Sequence, residues 1–122
     1  MRTIYWVLIL VALAVFTSPA AAPYRMDVNR LVPSTPTDLF TSDTWLTGMT
    51  LTGEGASDAN CIIISKGDGR SIYGSSAAPG LVPSGSMLSF AFNERKAPGG
   101  ITWSCDVSTV SAWVGYRTAP TP

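Results

Sequence analysis

The 122-residue chain has no histidine. It therefore lacks the side chain that most often acts as a general base near neutral pH and most often binds a transition metal. A Ser-His-Asp triad cannot be assembled from it. Charge is sparse as well: eight basic and eight acidic residues cancel. That balance provides no surface for a polyanion, so nucleic acid is not expected as a partner. No amphipathic helical stretch or internal repeat follows Phe16, and no G-x-S-x-G elbow, phosphate-binding loop or G-x-G-x-x-G occurs. What the chain does have is eleven glycines and nine prolines, which mark many turns and little helix.

Residues 1–22 differ in kind from the rest. Arg2 supplies a positive start, and Ile4 to Phe16 is apolar apart from the amphipathic rings of Tyr5 and Trp6. Thr17-Ser-Pro-Ala-Ala-Ala then offers small residues for cleavage. This is the pattern of a secretory signal, with the cut expected after Ala20. The competing reading is an uncleaved membrane anchor that contacts lipid through residues 4–22. A span needs about 20 mostly apolar residues, and Ile4 to Phe16 alone is shorter. Both readings export the protein, to the periplasm, the cell exterior or a virion.

Only two cysteines are present, Cys61 and Cys105. In an exported chain an even count reads as a disulfide. Closing so long a loop is worth roughly 4 kcal/mol in the chain-entropy model. The alternative is a pair of buried free thiols acting as small hydrophobes.

Residues 23–43 read as an extended arm. Pro23, Pro33 and Pro36 block regular helix, and Tyr24, Leu31, Val32, Leu39 and Phe40 are scattered rather than patterned. The arm is either a loose linker or a segment lying in a subunit interface, because five large apolar groups are costly to leave in water. An interface arm could be deleted without unfolding the domain that follows it.

Residues 44–122 carry the strand patterns. Thr44 to Thr52 alternates, with Trp45, Met49 and Leu51 on one parity. Cys61-Ile-Ile-Ile is a buried strand. Gly67-Asp-Gly is expected to supply the positive φ angles of a hairpin turn into Ser71-Ile-Tyr. Ser75 to Ser86 reads as a long loop in which Leu81 and Val82 dip into the core. Met87 to Phe92 places Leu88, Phe90 and Phe92 on one face, and Asn93 to Gly100 reads as the most exposed loop. Ile101 to Cys105 and Val110 to Arg117 alternate again. About six strands at such spacing predict an all-β fold, a small antiparallel β-sandwich or jelly-roll-like barrel.

The acidic residues Asp43, Glu54, Asp58, Asp68, Glu94 and Asp106 are spread singly and read as solvated turn residues. No catalytic residue, metal-ligand set or cofactor is expected. Trp103 shares a parity with Ile101 and Cys105, which assigns it to the core. Trp113 is either covered on its own sheet or exposed as an interface or sugar-stacking group. With the five apolar residues of the arm it completes the set of candidate interface residues.

From Asn60 to Arg117 the order of features resembles small β-sandwich modules of bacteriophage virion proteins, of the head-fibre, tail-associated and decoration types. The resemblance rests on Cys61-Ile-Ile-Ile, Lys66-Gly-Asp-Gly, Ile72-Tyr-Gly, Leu81-Val-Pro-Ser-Gly-Ser-Met-Leu-Ser-Phe, Ile101-Thr-Trp-Ser-Cys and Val114-Gly-Tyr-Arg. It implies a non-enzymatic structural protein that contacts copies of itself or other structural proteins. The alternative from a different class is a secreted or periplasmic binding module for carbohydrate.

Overall fold

The computed structural model describes residues 24–106 and 109–120, none of them helical. The expected signal or anchor segment, residues 1–22, lies outside these. The strands are β1 (Met26–Leu31), β2 (Thr37–Phe40), β3 (Thr44–Gly53), β4 (Ala59–Ser65), β5 (Ser71–Tyr73), β6 (Gly80–Val82), β7 (Met87–Ala97), β8 (Ile101–Cys105) and β9 (Val110–Arg117). They form two antiparallel sheets facing each other as a β-sandwich. The first has the order β1-β9-β3-β7, the second β2-β8-β4-β5 with β6 also paired to β4.

Alternation along the central strands builds the core. Leu46, Met49, Leu51, Val110, Ala112 and Val114 of the first sheet form one buried cluster with Ala59, Cys61, Ile63, Ile101, Trp103 and Cys105 of the second. Fully burying a side chain of leucine or isoleucine size is worth about 1.5–3 kcal/mol. This interior is therefore the main source of stability. Trp103 sits opposite Ile63 on the neighbouring strand and is almost wholly buried, the core position that its parity assigns to it.

The stretch expected to be an arm is instead two edge strands. β1 pairs with β9 from Met26↔Tyr116 to Leu31↔Ser111, and β2 pairs with β8 from Thr37↔Trp103 to Phe40↔Ile101. An edge strand has a neighbour on one side only and a half-covered inner face, so its apolar residues need not alternate strictly. The division at residue 43 accordingly does not separate an arm from a sandwich.

Three further differences have local causes. In β3 the register shifts between Leu46 and Gly48 against both neighbours: against β9 Thr47 is the extra residue of a bulge, and against β7 the surplus lies on β7, where residues 92–94 stand opposite Thr47 alone. The shift turns Leu46 inward with Met49 and Leu51 and puts Trp45 on the outer face, where Lys96 lies 5.5 Å from its ring centroid. Second, β7 does not stop at Phe92. It passes an irregularity at Glu94, which takes a left-handed φ of 48°, and pairs again as far as Ala97↔Thr44. Third, only Gly69 of the Gly67-Asp-Gly turn has a positive φ. Gly67 is required for space: a Cβ there would lie 2.7 Å from the Pro98 carbonyl oxygen, the same oxygen that accepts its N–H.

Candidate functional site

Two aromatic pairs close the open sides of the sandwich. On one side Phe40 of β2 meets Tyr116 of β9, with ring centroids 4.4 Å apart. On the other, Tyr73 of β5 meets Phe90 of β7 at 5.1 Å. Each pair joins one sheet to the other. The Tyr73 hydroxyl donates to the Leu81 carbonyl, and burial raises its pKa above the usual value. Arg95 of β7 adds a 2.6 Å bond from its Nη2 to the Ser71 carbonyl.

These contacts redistribute the expected interface residues. Phe40 is spent on Tyr116, Leu39 packs on the core, and Val32 is only 8% exposed. Those three serve the chain's own interior. Tyr24 and Leu31 stay in solvent, at 79% and 63% exposure. Trp113 lies on the outer face of the first sheet and is partly covered. The Arg25 guanidinium sits 5.2 Å from its ring centroid, and Gly48 leaves the room the ring occupies, since a Cβ there would lie 3.3 Å from Trp113 Cζ3. Gly115, paired with Gly48 across the strands, makes the corresponding room for Arg25: a Cβ there would come within 2.9 Å of Nη2. Arg25 thereby fastens the segment before β1 to the sheet. Beside it Arg117 Nη1 donates to Glu94 Oε1 at 2.6 Å, while Thr47 Oγ1 and Arg117 Nε are buried without a hydrogen-bond partner.

The carboxylates hold loops. Asp38 accepts from Lys66 Nζ at 2.6 Å and from the Thr102 hydroxyl at 3.0 Å, which keeps its pKa below the ordinary 3.8. The Gly99 N–H, 2.8 Å from Asp43, does the same there, with Lys96 adding attraction. Asp68 is lowered by the Ser65 hydroxyl at 2.7 Å and the Arg70 N–H at 3.0 Å, both within the β4–β5 turn. Asn60 donates to Asp106 through both its main-chain N–H and its side-chain amide, at 3.0 and 3.1 Å. This clamp edges an open cleft of ≈ 350 Å³ on the outer face of the second sheet, with Ser34, Ile62 and Ser104 beside it. Among the described residues no group of three or more carboxylates and thiols stands where it could hold a metal.

Cys61 and Cys105 face each other on β4 and β8 and are bonded, S–S 2.04 Å, inside the core. The bond joins neighbouring strands of one sheet.

The surface features most suited to a partner are the two edges of the first sheet. β1 bears Leu31, with Tyr24 just before it, and β7 begins at Met87, which is 68% exposed. Sequence reasoning missed Met87. Its parity, opposite to Leu88, Phe90 and Phe92, was the available signal, since it assigns the side chain to the outer face.

No family model matches the chain. No curated protein matches it either. Among solved structures it is similar to a chain of Bacillus endospore appendages, a novel family of disulfide-linked pili. The similarity covers 84% of this chain and 95% of that chain, at 11% sequence identity and a TM-score of 0.44. A TM-score of that size does not establish a common fold.

Proposed function

We propose that the chain is a non-enzymatic structural subunit of an exported assembly, a virion or a surface appendage, working through contacts with copies of itself or with other structural proteins. The observation that carries this reading is the condition of the first sheet's edges. β1 and β7 each have a strand on one side only, and Tyr24, Leu31 and Met87 lie exposed on or beside them. A protein that stays alone usually blunts its edges with charge, proline or bulges. Here Met87 to Ala91, the part of β7 in regular register with β3, carries none of these. A disulfide in the core suits an oxidising exterior. The carboxylates support the reading too, because those named above are spent on turns and loop clamps.

A carbohydrate-binding module would call on Trp113 as its stacking platform. That ring is already engaged by Arg25 and packed against Gly48. The test is the mass of the exported full chain across a concentration series, by light scattering and electron microscopy. Oligomers that grow with concentration are expected. A chain that stays monomeric throughout and binds glycans overturns the reading.

A further inference from the structure

The first sheet is antiparallel at every step, and because it has four strands its two edges run in opposite directions. A second copy displaced along the sheet without rotation therefore brings its β1 beside β7 as one more antiparallel pair. The side chains determine which residues meet. On β1, Val28 packs on the core, and Met26 and Arg30 share its side, opposite the inward Tyr116 and Ala112. Leu31 lies opposite Ser111 on the outer side. On β7, Leu88, Phe90 and Phe92 turn inward and are only partly buried, while Met87 and Ser89 turn outward.

We propose that the chain polymerises head to tail by strand addition, the β1 edge of one copy pairing with the Met87–Phe92 half of β7 on the next. The register sets Val28 opposite Phe90, Met26 opposite Phe92 and Leu31 opposite Met87. This rests on the assembly reading above and names its surface. In this register the half-open rim of one core continues into the next. Leu31 and Met87, the two most exposed large apolar side chains of the described strands, cover each other. No like charges meet: Arg30 lies against Leu88, Asp27 against Ala91 and Arg25 against Asn93. Alternatives are penalised. A one-residue slip turns the apolar set outward. A two-residue slip drives Met26 into the irregularity at Glu94, or carries Leu31 past the start of β7 to Gly85. Repeated by translation, the contact does not close and gives an open string of subunits.

The experiment uses the full chain with Leu31→Glu, with Met87→Lys and with both. Both positions are exposed, so the fold tolerates each change. Either single change is expected to raise the concentration at half-assembly by up to about fivefold, the size of one cross-strand pair, and the double change to restore it. Mixed Leu31→Cys and Met87→Cys proteins should form a reducible dimer on oxidation, in excess of Leu31→Cys mixed with Ser89→Cys. Oligomers that form without rescue and without the selective cross-link overturn the strand-addition register and leave the assembly reading standing. Absence of oligomers from the wild-type chain at every concentration overturns both.

Discussion

Phe40 and Tyr116 lie with their ring centroids 4.4 Å apart and their planes tilted by 45°. One comes from the stretch whose sequence looks least structured and the other from the last strand. Their contact ties β2 of one sheet to β9 of the other. An aromatic pair of this kind is worth about 0.5–1.5 kcal/mol beyond the area it buries. We expect Phe40→Leu and Tyr116→Leu each to destabilise by about 1–3 kcal/mol, less than a fully buried aromatic would cost. In urea unfolding a double-mutant cycle should show coupling on the order of 1 kcal/mol. Strict additivity would mean the rings merely fill space.

Deleting residues 23–43 should unfold the protein. The deletion removes one strand from each sheet together with Val32, Leu39 and Phe40. We expect the 44–122 fragment to lose its near-ultraviolet circular dichroism and to bind a hydrophobic dye. A fragment that melts cooperatively at the full chain's temperature would return the segment to the role of a dispensable arm.

The Cys61–Cys105 bond should resist reduction in the native state, because both sulfurs sit in the core. Once broken in denaturant, its loss should lower stability by about 4 kcal/mol in the chain-entropy model. Thiol alkylation under native conditions should therefore yield no modified protein, and the Cys61→Ala/Cys105→Ala chain should unfold at markedly lower urea. Equal urea midpoints would show that core packing alone sets the stability.

Acid should weaken the fold from about pH 4 downward. Asp38, Asp43 and Asp68 have folded pKa values below the ordinary 3.8. As pH falls the unfolded chain takes up these protons first, so stability is complete above the unfolded pKa and declines through the folded values. Replacing all three by asparagine should flatten the dependence of the urea midpoint on pH between about 5 and 2. An unchanged slope would assign acid sensitivity to other carboxylates.

Legibility in the sequence followed coverage of the strands. β8 and β9 lie between neighbours, and their alternation identifies the inward residues correctly. β1 has one neighbour and only Val28 half-buried, so its sequence shows no period, and its partner β9 lies at the far end of the chain. β3 was legible as a strand but not by face, because a single extra residue at Thr47 exchanges Trp45 and Leu46. The charged half of β7 looked like a loop for the same reason that it makes a poor docking edge: Glu94, Arg95 and Lys96 follow one another without an apolar alternation. Tyr24 and Leu31 could be recognised as candidate contacts from their apolar character alone. Val32, Leu39 and Phe40 look the same in sequence, and only the tertiary pairing separates those the fold uses from those it leaves outside.

The covalent bridge also determines how the chain would carry tension. A pull applied at the two ends reaches Cys61 from one side and Cys105 from the other, then crosses through the sulfurs. The intervening stretch, a separation of 44 residues that includes β5, β6 and β7, is bypassed. Roughly 150 Å of slack is thus withheld from stretching, at up to about 3.6 Å per residue. Stretching single molecules with and without reductant would reveal it as a contour length that lengthens by that amount only after the bridge is cut. In a chain pulled by its ends, β5, β6 and β7, with Met87 among them, would be the part of the fold that force on the backbone cannot unravel.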